Sequence, residues 1–174
     1  MALPIVIIGA GITGLSTAIA LKRNLPDPKP TITIVEIRSA PSTIGGAVYL
    51  TPKALRYLDH LGVPETLRAE GAGAECKAIE LFDLYTGKKT AEVDFRGRNG
   101  DWIGKAGSKK YFAMRVMRWQ LQKALLKAVE DQEGCEVLFG KELVEIHESV
   151  NIVWECRGVC VVFIELSLVV SDTA

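Results

Sequence analysis

Gly9, Gly11 and Gly14 are the residues whose spacing could do chemistry, and that chemistry is the holding of an anion. They sit in the run Ile5-Val-Ile-Ile-Gly-Ala-Gly-Ile-Thr-Gly14, a GxGxxG pattern directly behind an apolar stretch. Gly9 permits a tight turn, Gly11 leaves the backbone open to a pyrophosphate, and Gly14 lets a following helix lie close to the strand. Ala10 lies inside the loop and belongs to the same cradle. The N–H groups at the start of that helix face the anion. Glu36 closes a second apolar run, Ile32-Thr-Ile-Val35, 22 residues after Gly14, where a carboxylate can accept hydrogen bonds from ribose hydroxyls. A lone GxGxxG is a common small-residue turn. Strand before, helix after, acid at this distance and a place at the start of the chain together point to a dinucleotide. A carboxylate also repels a 2′-phosphate, which favours FAD or NAD over NADP.

Other chemistry-bearing residues are sparse. His60 and His147 are isolated, and no side chain is singled out as catalytic. Cys76, Cys135, Cys156 and Cys160 show no CxxC spacing and read as thiols of a reducing cytosol, with Cys156 and Cys160 the one pair that could bridge. No metal site is expected. The 174 residues are 48% apolar and 24% charged with a formal net charge of zero, an ordinary globular composition. Nothing in it favours nucleic acid. Pro4 and the early glycines read as part of the fingerprint, so no signal peptide is expected, and Val159–Val170 is short for a bilayer span and contains Glu165. A cytoplasmic protein is expected, with peripheral membrane association left open.

The elements that must position the loop follow from pattern. A helix after Gly14 carries Leu15, Ala18, Ile19 and Leu25 on one side and Lys22, Arg23 and Asn24 at its end. Leu25–Pro30 holds three prolines and is a loop. Thr31–Ile37 reads as the second strand, followed by a glycine-bearing loop to Gly46 and the segment Ala47–Leu50. Thr51-Pro52 reads as N-cap and first residue of a helix over Lys53–Leu61, stopped at Gly62. Residues 77–95 read as a hairpin in which Ala91, Val93 and Phe95 form the buried side of a half-buried strand. Arg96–Ser108 reads as a surface loop. Arg115–Gln132 is the strongest helical pattern, ended by Gly134, and Val137–Phe139 and Leu143–Ile146 read as strands. Asn151–Val170 changes register into an apolar stretch that is either one or two final buried strands or a tail foreign to the fold.

In combination these motifs resemble the N-terminal part of the single-component FAD-dependent monooxygenases, the aromatic-ring hydroxylase group of salicylate and p-hydroxybenzoate hydroxylases and similar fungal enzymes of secondary metabolism. The resemblance covers about residues 4–148 and rests on the strand–GxGxxG–helix–strand–Glu36 unit, on Ile44-Gly-Gly-Ala-Val-Tyr-Leu-Thr-Pro52 and on Met117-Arg-Trp-Gln-Leu121. It implies an α/β fold: a Rossmann-like FAD-binding βαβ unit with an inserted antiparallel hairpin. Residues 1–148 would form the FAD-binding part and 149–174 an atypical tail. It implies that Ala47 meets the flavin side through its backbone and that Arg118 reaches the cofactor, with Arg115, read as a neighbour on the same helix, the competing arginine. Arg38 lies over the adenine or is simply solvated. The implied activity transfers one oxygen atom of O2 to an electron-rich small molecule, with NAD(P)H as transient electron donor.

One departure is large. The family carries a later Asp-Gly motif and a Gly-Asp motif for the ribityl and pyrophosphate, and neither is found here. Gly100-Asp101 stands in the wrong order and context. The chain therefore reads as an incomplete flavin-monooxygenase domain, as from a truncated or mis-spliced gene, expected to bind the adenosine end and not to turn over alone. Two other classes stay open: an NAD-binding dehydrogenase or reductase, and a non-catalytic dinucleotide-binding remnant. Substrate and oligomeric state are not legible.

Overall fold

The computed structural model describes residues 4–41, 44–95, 111–156 and 159–172, and for 146–170 and 172 the backbone only. The first layer is a parallel sheet of β1 (Ile5–Ile8), β2 (Ile32–Glu36) and β8 (Cys135–Phe139), in the order β1-β2-β8. Period-two alternation sorts its side chains. Ile5, Ile7, Ile32, Ile34, Cys135, Val137 and Phe139 share one face and join the core, while Val6, Ile8 and Leu138 on the other face are exposed. Two helices cover the core face, α1 (Ile12–Asn24) and α4 (Arg118–Glu130). Their stripes meet there: Leu15, Ala18 and Ile19 from α1, and Leu121, Ala124, Leu125 and Val129 from α4, all buried.

Between β2 and β8 the chain makes a long excursion. It contains β3 (Ala47–Leu50), α2 (Pro52–His60), α3 (Val63–Ala69), β4 (Ala74–Cys76), the hairpin β5 (Ala78–Phe82) and β6 (Lys89–Asp94), and β7 (Ala113–Met117). β7 is the centre of an antiparallel sheet, flanked by β3 and β4. Thr51 caps α2 by accepting the Ala54 N–H at 3.2 Å, and Pro52 opens the helix. Leu55, Leu58, Val63 and Leu67 then join the same core. β9 (Lys141–Cys156) and β10 (Val159–Asp172) form an antiparallel pair, so β9 runs without a break across Glu148. The fold is mixed α/β, as the sequence implies.

Three local expectations change. Arg115 is in β7 and not in a helix: residues 114–117 alternate in burial, β7 pairs with both β3 and β4, and α4 starts at Arg118. Pairing on two edges overrides a pattern that helix and strand could both satisfy. Ala91 and Val93 are exposed, not half-buried, because β6 pairs with β5 alone and no layer covers the ribbon among the described residues. Phe95, just beyond β6, is buried and stacks on Tyr49 at 5.8 Å. Neither α3 nor β4 was foreseen. The loop 96–108, with Gly100 and Asp101, lies outside the described residues except as sequence, and so do the side chains of His147, Cys156 and Cys160.

Candidate functional site

The turn out of β1 is built from backbone requirements. Gly9 has φ +97°, a conformation that a side chain would strain, and its N–H donates to the Val35 carbonyl at 2.7 Å. Gly14 is held closer still: a Cβ on it would sit 2.1 Å from the Gly9 carbonyl oxygen, which no L side chain tolerates. Gly11 differs. Its φ and ψ of −77° and 178° suit any residue, and a Cβ there would meet no atom within 4 Å. The space in front of Gly11 is open. α1 begins at the next residue with no side-chain cap and no acidic residue in its first turn. Its first N–H groups and the positive end of its dipole are thus available to an anion.

Glu36 ends β2 beneath this loop and is buried. Its Oε2 accepts the Ala10 N–H at 2.9 Å and its Oε1 accepts the Arg38 N–H at 3.0 Å. The Arg38 guanidinium stands 3.7 Å from Oε1 with its side chain largely in solvent. A carboxylate offers about four acceptor sites, so two backbone donors leave capacity for ribose hydroxyls. Glu36 therefore shapes the loop and keeps acceptors for a ligand.

The next peptide, Ala10–Gly11, is held from α4. Gln122 Nε2 donates to the Ala10 carbonyl at 2.7 Å, and the side chain is buried. Nothing in the sequence singled out Gln122, since its partner lies 112 residues away. One turn earlier on the same face of α4, Arg118 lies against the turn before β3. A Cβ on Gly45, at φ +135°, would be 3.4 Å from Arg118 Cδ, and the Arg118 N–H donates to the Gly46 carbonyl at 3.1 Å. Ala47 pairs with Met117, the residue before. Gly45–Ala47 and Arg118 are thus adjacent, and one helix touches both this turn and the glycine loop. Arg115 is exposed on β7 opposite Tyr49 and Ala74.

Elsewhere the groups are structural. Burial pushes the Tyr49 hydroxyl above its ordinary range, with Cys76 adding to it, and pushes the Cys135 thiol up, with Lys22 pulling partly back. His60 gives its backbone carbonyl to Arg23. A hollow of about 800 Å³ runs along α1 past Thr17, Ala20, Tyr57 and Leu61. It includes none of Gly9, Gly11, Glu36 or Arg118, and its lining carries no carboxylate or thiol. Geometry at the loop outweighs its size. No cluster of His, Cys, Asp and Glu fit for a metal occurs among the described residues, and none of their helices is long and apolar enough to cross a membrane.

A family model described as "FAD binding domain" matches residues 2–153. The FAD-dependent urate hydroxylase of Klebsiella pneumoniae is 28% identical over 156 residues, covering 88% of this chain and 36% of the relative. The chain thus spans about a third of the curated relatives it matches. Among solved structures, the tetrameric form of 2-methyl-3-hydroxypyridine-5-carboxylic acid oxygenase aligns with TM-score 0.62 at 22% identity, over 82% of this chain and 33% of that one. PqsL of Pseudomonas aeruginosa, in complex with 2-aminobenzoylacetate, aligns with TM-score 0.65 at 17% identity, over 85% and 36%. At these identities the structures speak for the fold.

Proposed function

The chain belongs to the FAD binding domain family, and from that premise we propose that it holds FAD across the Gly9–Gly14 loop as the N-terminal part of an NAD(P)H-dependent aromatic-type monooxygenase. The observation that carries this is the double reach of α4: Gln122 at the Ala10 carbonyl and, one turn away, Arg118 at Gly45–Gly46. The glycine loop and Glu36 together serve the adenosine half of either dinucleotide, NAD or FAD. The second turn, seated on an arginine, gives a longer ligand a second place to rest.

In this reading Gly11 admits the pyrophosphate and the first N–H groups of α1 receive it. The remaining acceptors of Glu36 take the ribose hydroxyls, and Arg38, mostly solvent-exposed beside it, lies at the adenosine end. Ala47, through its backbone, and Arg118 stand at the flavin end. Bound FAD would supply the redox chemistry that places one atom of O2 on an electron-rich small molecule. The relatives' names, a urate hydroxylase and a hydroxypyridine carboxylate oxygenase, support an aromatic substrate. A domain of residues 1–148, followed by a distinct segment, and a cytoplasmic location complete the reading.

The test is titration of the purified 174-residue chain with FAD and with NAD, followed by calorimetry and flavin absorbance. FAD should bind and colour the protein yellow, and NAD should bind more weakly. Firm NAD binding with no FAD binding would overturn the assignment.

A further inference from the structure

We propose that Gln122 is the positioning residue of the phosphate loop: its amide fixes the Ala10 peptide so that the loop presents its N–H groups to the phosphates. The inference rests on the FAD reading above. Ala10 is fully buried and held from two sides, its N–H by Glu36 at 2.9 Å and its carbonyl by Gln122 at 2.7 Å. The two clamps come from different elements, the end of β2 and the second turn of α4. Glu36 fixes the Gly9–Ala10 peptide through its N–H and Gln122 fixes the Ala10–Gly11 peptide, which carries the Gly11 N–H, through its carbonyl. Without Gln122, the buried Ala10 carbonyl has lost its donor, and the Ala10–Gly11 peptide is free to turn until it finds another.

The second observation is what Gln122 gives up. Its Oε1 is buried and has no hydrogen-bond partner among the described residues. An unmet buried acceptor is destabilising, and an apolar side chain of similar length would fill the position without one. The amide's contribution is therefore the single bond to Ala10, whose benefit falls on the loop.

The experiment compares the parent chain with Gln122→Met, similar in length but without a donor, and Gln122→Leu, shorter and also without a donor. FAD, ADP and adenosine are titrated into each by calorimetry, and each is melted without ligand. FAD and ADP should both bind about tenfold more weakly to either variant, the size of one hydrogen bond. Adenosine should bind as it does to the parent, because it carries no phosphate for the loop to address. The unliganded melting temperature of Gln122→Met should fall only modestly, since the variant trades one unmet acceptor, Oε1, for another, the Ala10 carbonyl. Equal FAD affinity in parent and variants overturns the role of Gln122 while leaving the FAD reading intact. Equal losses for adenosine and ADP also overturn it, because they indicate general disruption. A parent chain that binds none of the three ligands overturns both. If Gln122→Met does not fold, the ADP-to-adenosine ratio of Gln122→Leu decides alone.

Discussion

Replacing Gly14 and Gly11 by alanine adds the same single carbon to the same loop, and the two changes should act on different properties. At Gly14 the added Cβ would stand 2.1 Å from the Gly9 carbonyl oxygen and 3.3 Å from both Gly9 C and Ile7 Cγ2. Two of these are backbone atoms and cannot rotate away. Relief requires α1 to retreat from β1 by about 1 Å, which forfeits much of the contact energy along that seam. Leu15, Ala18 and Ile19 lie on the seam and are fully buried. Overpacking of this kind destabilises by about 3 kcal/mol, the upper end of its usual range. For a chain of this size that lowers the melting temperature by about 6–12 °C. At Gly11 the backbone already suits alanine and no atom lies within 4 Å of its Cβ. The unfolded chain loses freedom, so stability should hold or rise by about 0.4–1 kcal/mol. FAD affinity should nevertheless fall about tenfold or more, because the methyl keeps a phosphate from hydrogen-bond distance of the backbone. Melts without ligand separate stability from binding, and FAD titration then reads binding alone. A Gly14→Ala protein that melts with the parent, or a Gly11→Ala protein that melts well below it, would refute the reasoning.

Four further outcomes are expected. Glu36→Gln keeps one carbonyl oxygen where Ala10 and Arg38 each need an acceptor, so urea denaturation should show a loss of about 1–3 kcal/mol, and FAD and AMP titration should both show weaker binding. Arg118→Ala should weaken FAD but leave ADP unchanged in parallel calorimetric titrations, since Arg118 stands at Gly45–Gly46. Leu125→Ala removes a fully buried side chain and should lower stability by about 2–5 kcal/mol in the same denaturation assay. Burial raises the Cys135 thiol, so its thiolate forms only above the ordinary thiol range. Iodoacetamide labelling mapped by mass spectrometry should therefore find Cys135 slow at neutral pH and faster as pH rises.

The glycine loop was legible because its constraints act between near neighbours in sequence. Turn geometry at Gly9, close approach at Gly14 and an acid closing the next strand are all written within 36 residues of the start. Thr51-Pro52 was legible for the same reason, since a cap and its helix are local. Arg115 was not, because Met114, Val116 and Met117 suit a helix or a strand, and pairing with β3 and β4 decides between them. The exposed side of β6 was not legible either: alternation shows which residues share a face, not whether anything covers it. Gln122 looked like any polar residue of a helix, and its partner is named only by the packing of α4 on the loop. Arg118 was reached through family resemblance, and the structure adds what its neighbours are.

The wide separation of β2 from β8 governs the order in which the protein can be made. Thr33 and Glu136, hydrogen-bonded at 2.8 Å across the two strands, lie 103 residues apart in the chain. At cellular translation speeds that gap takes about 5–20 s to synthesise. Throughout it β2 presents an unpaired edge, and until Arg118–Glu130 is made α1 lacks the helix that covers its apolar side. The ligand loop cannot take its final form in that interval, because Gln122 is among the residues still to come. A nascent chain of this fold therefore carries a sticky, half-built nucleotide cradle for seconds, and that is the stage at which a chaperone or free dinucleotide would change its yield.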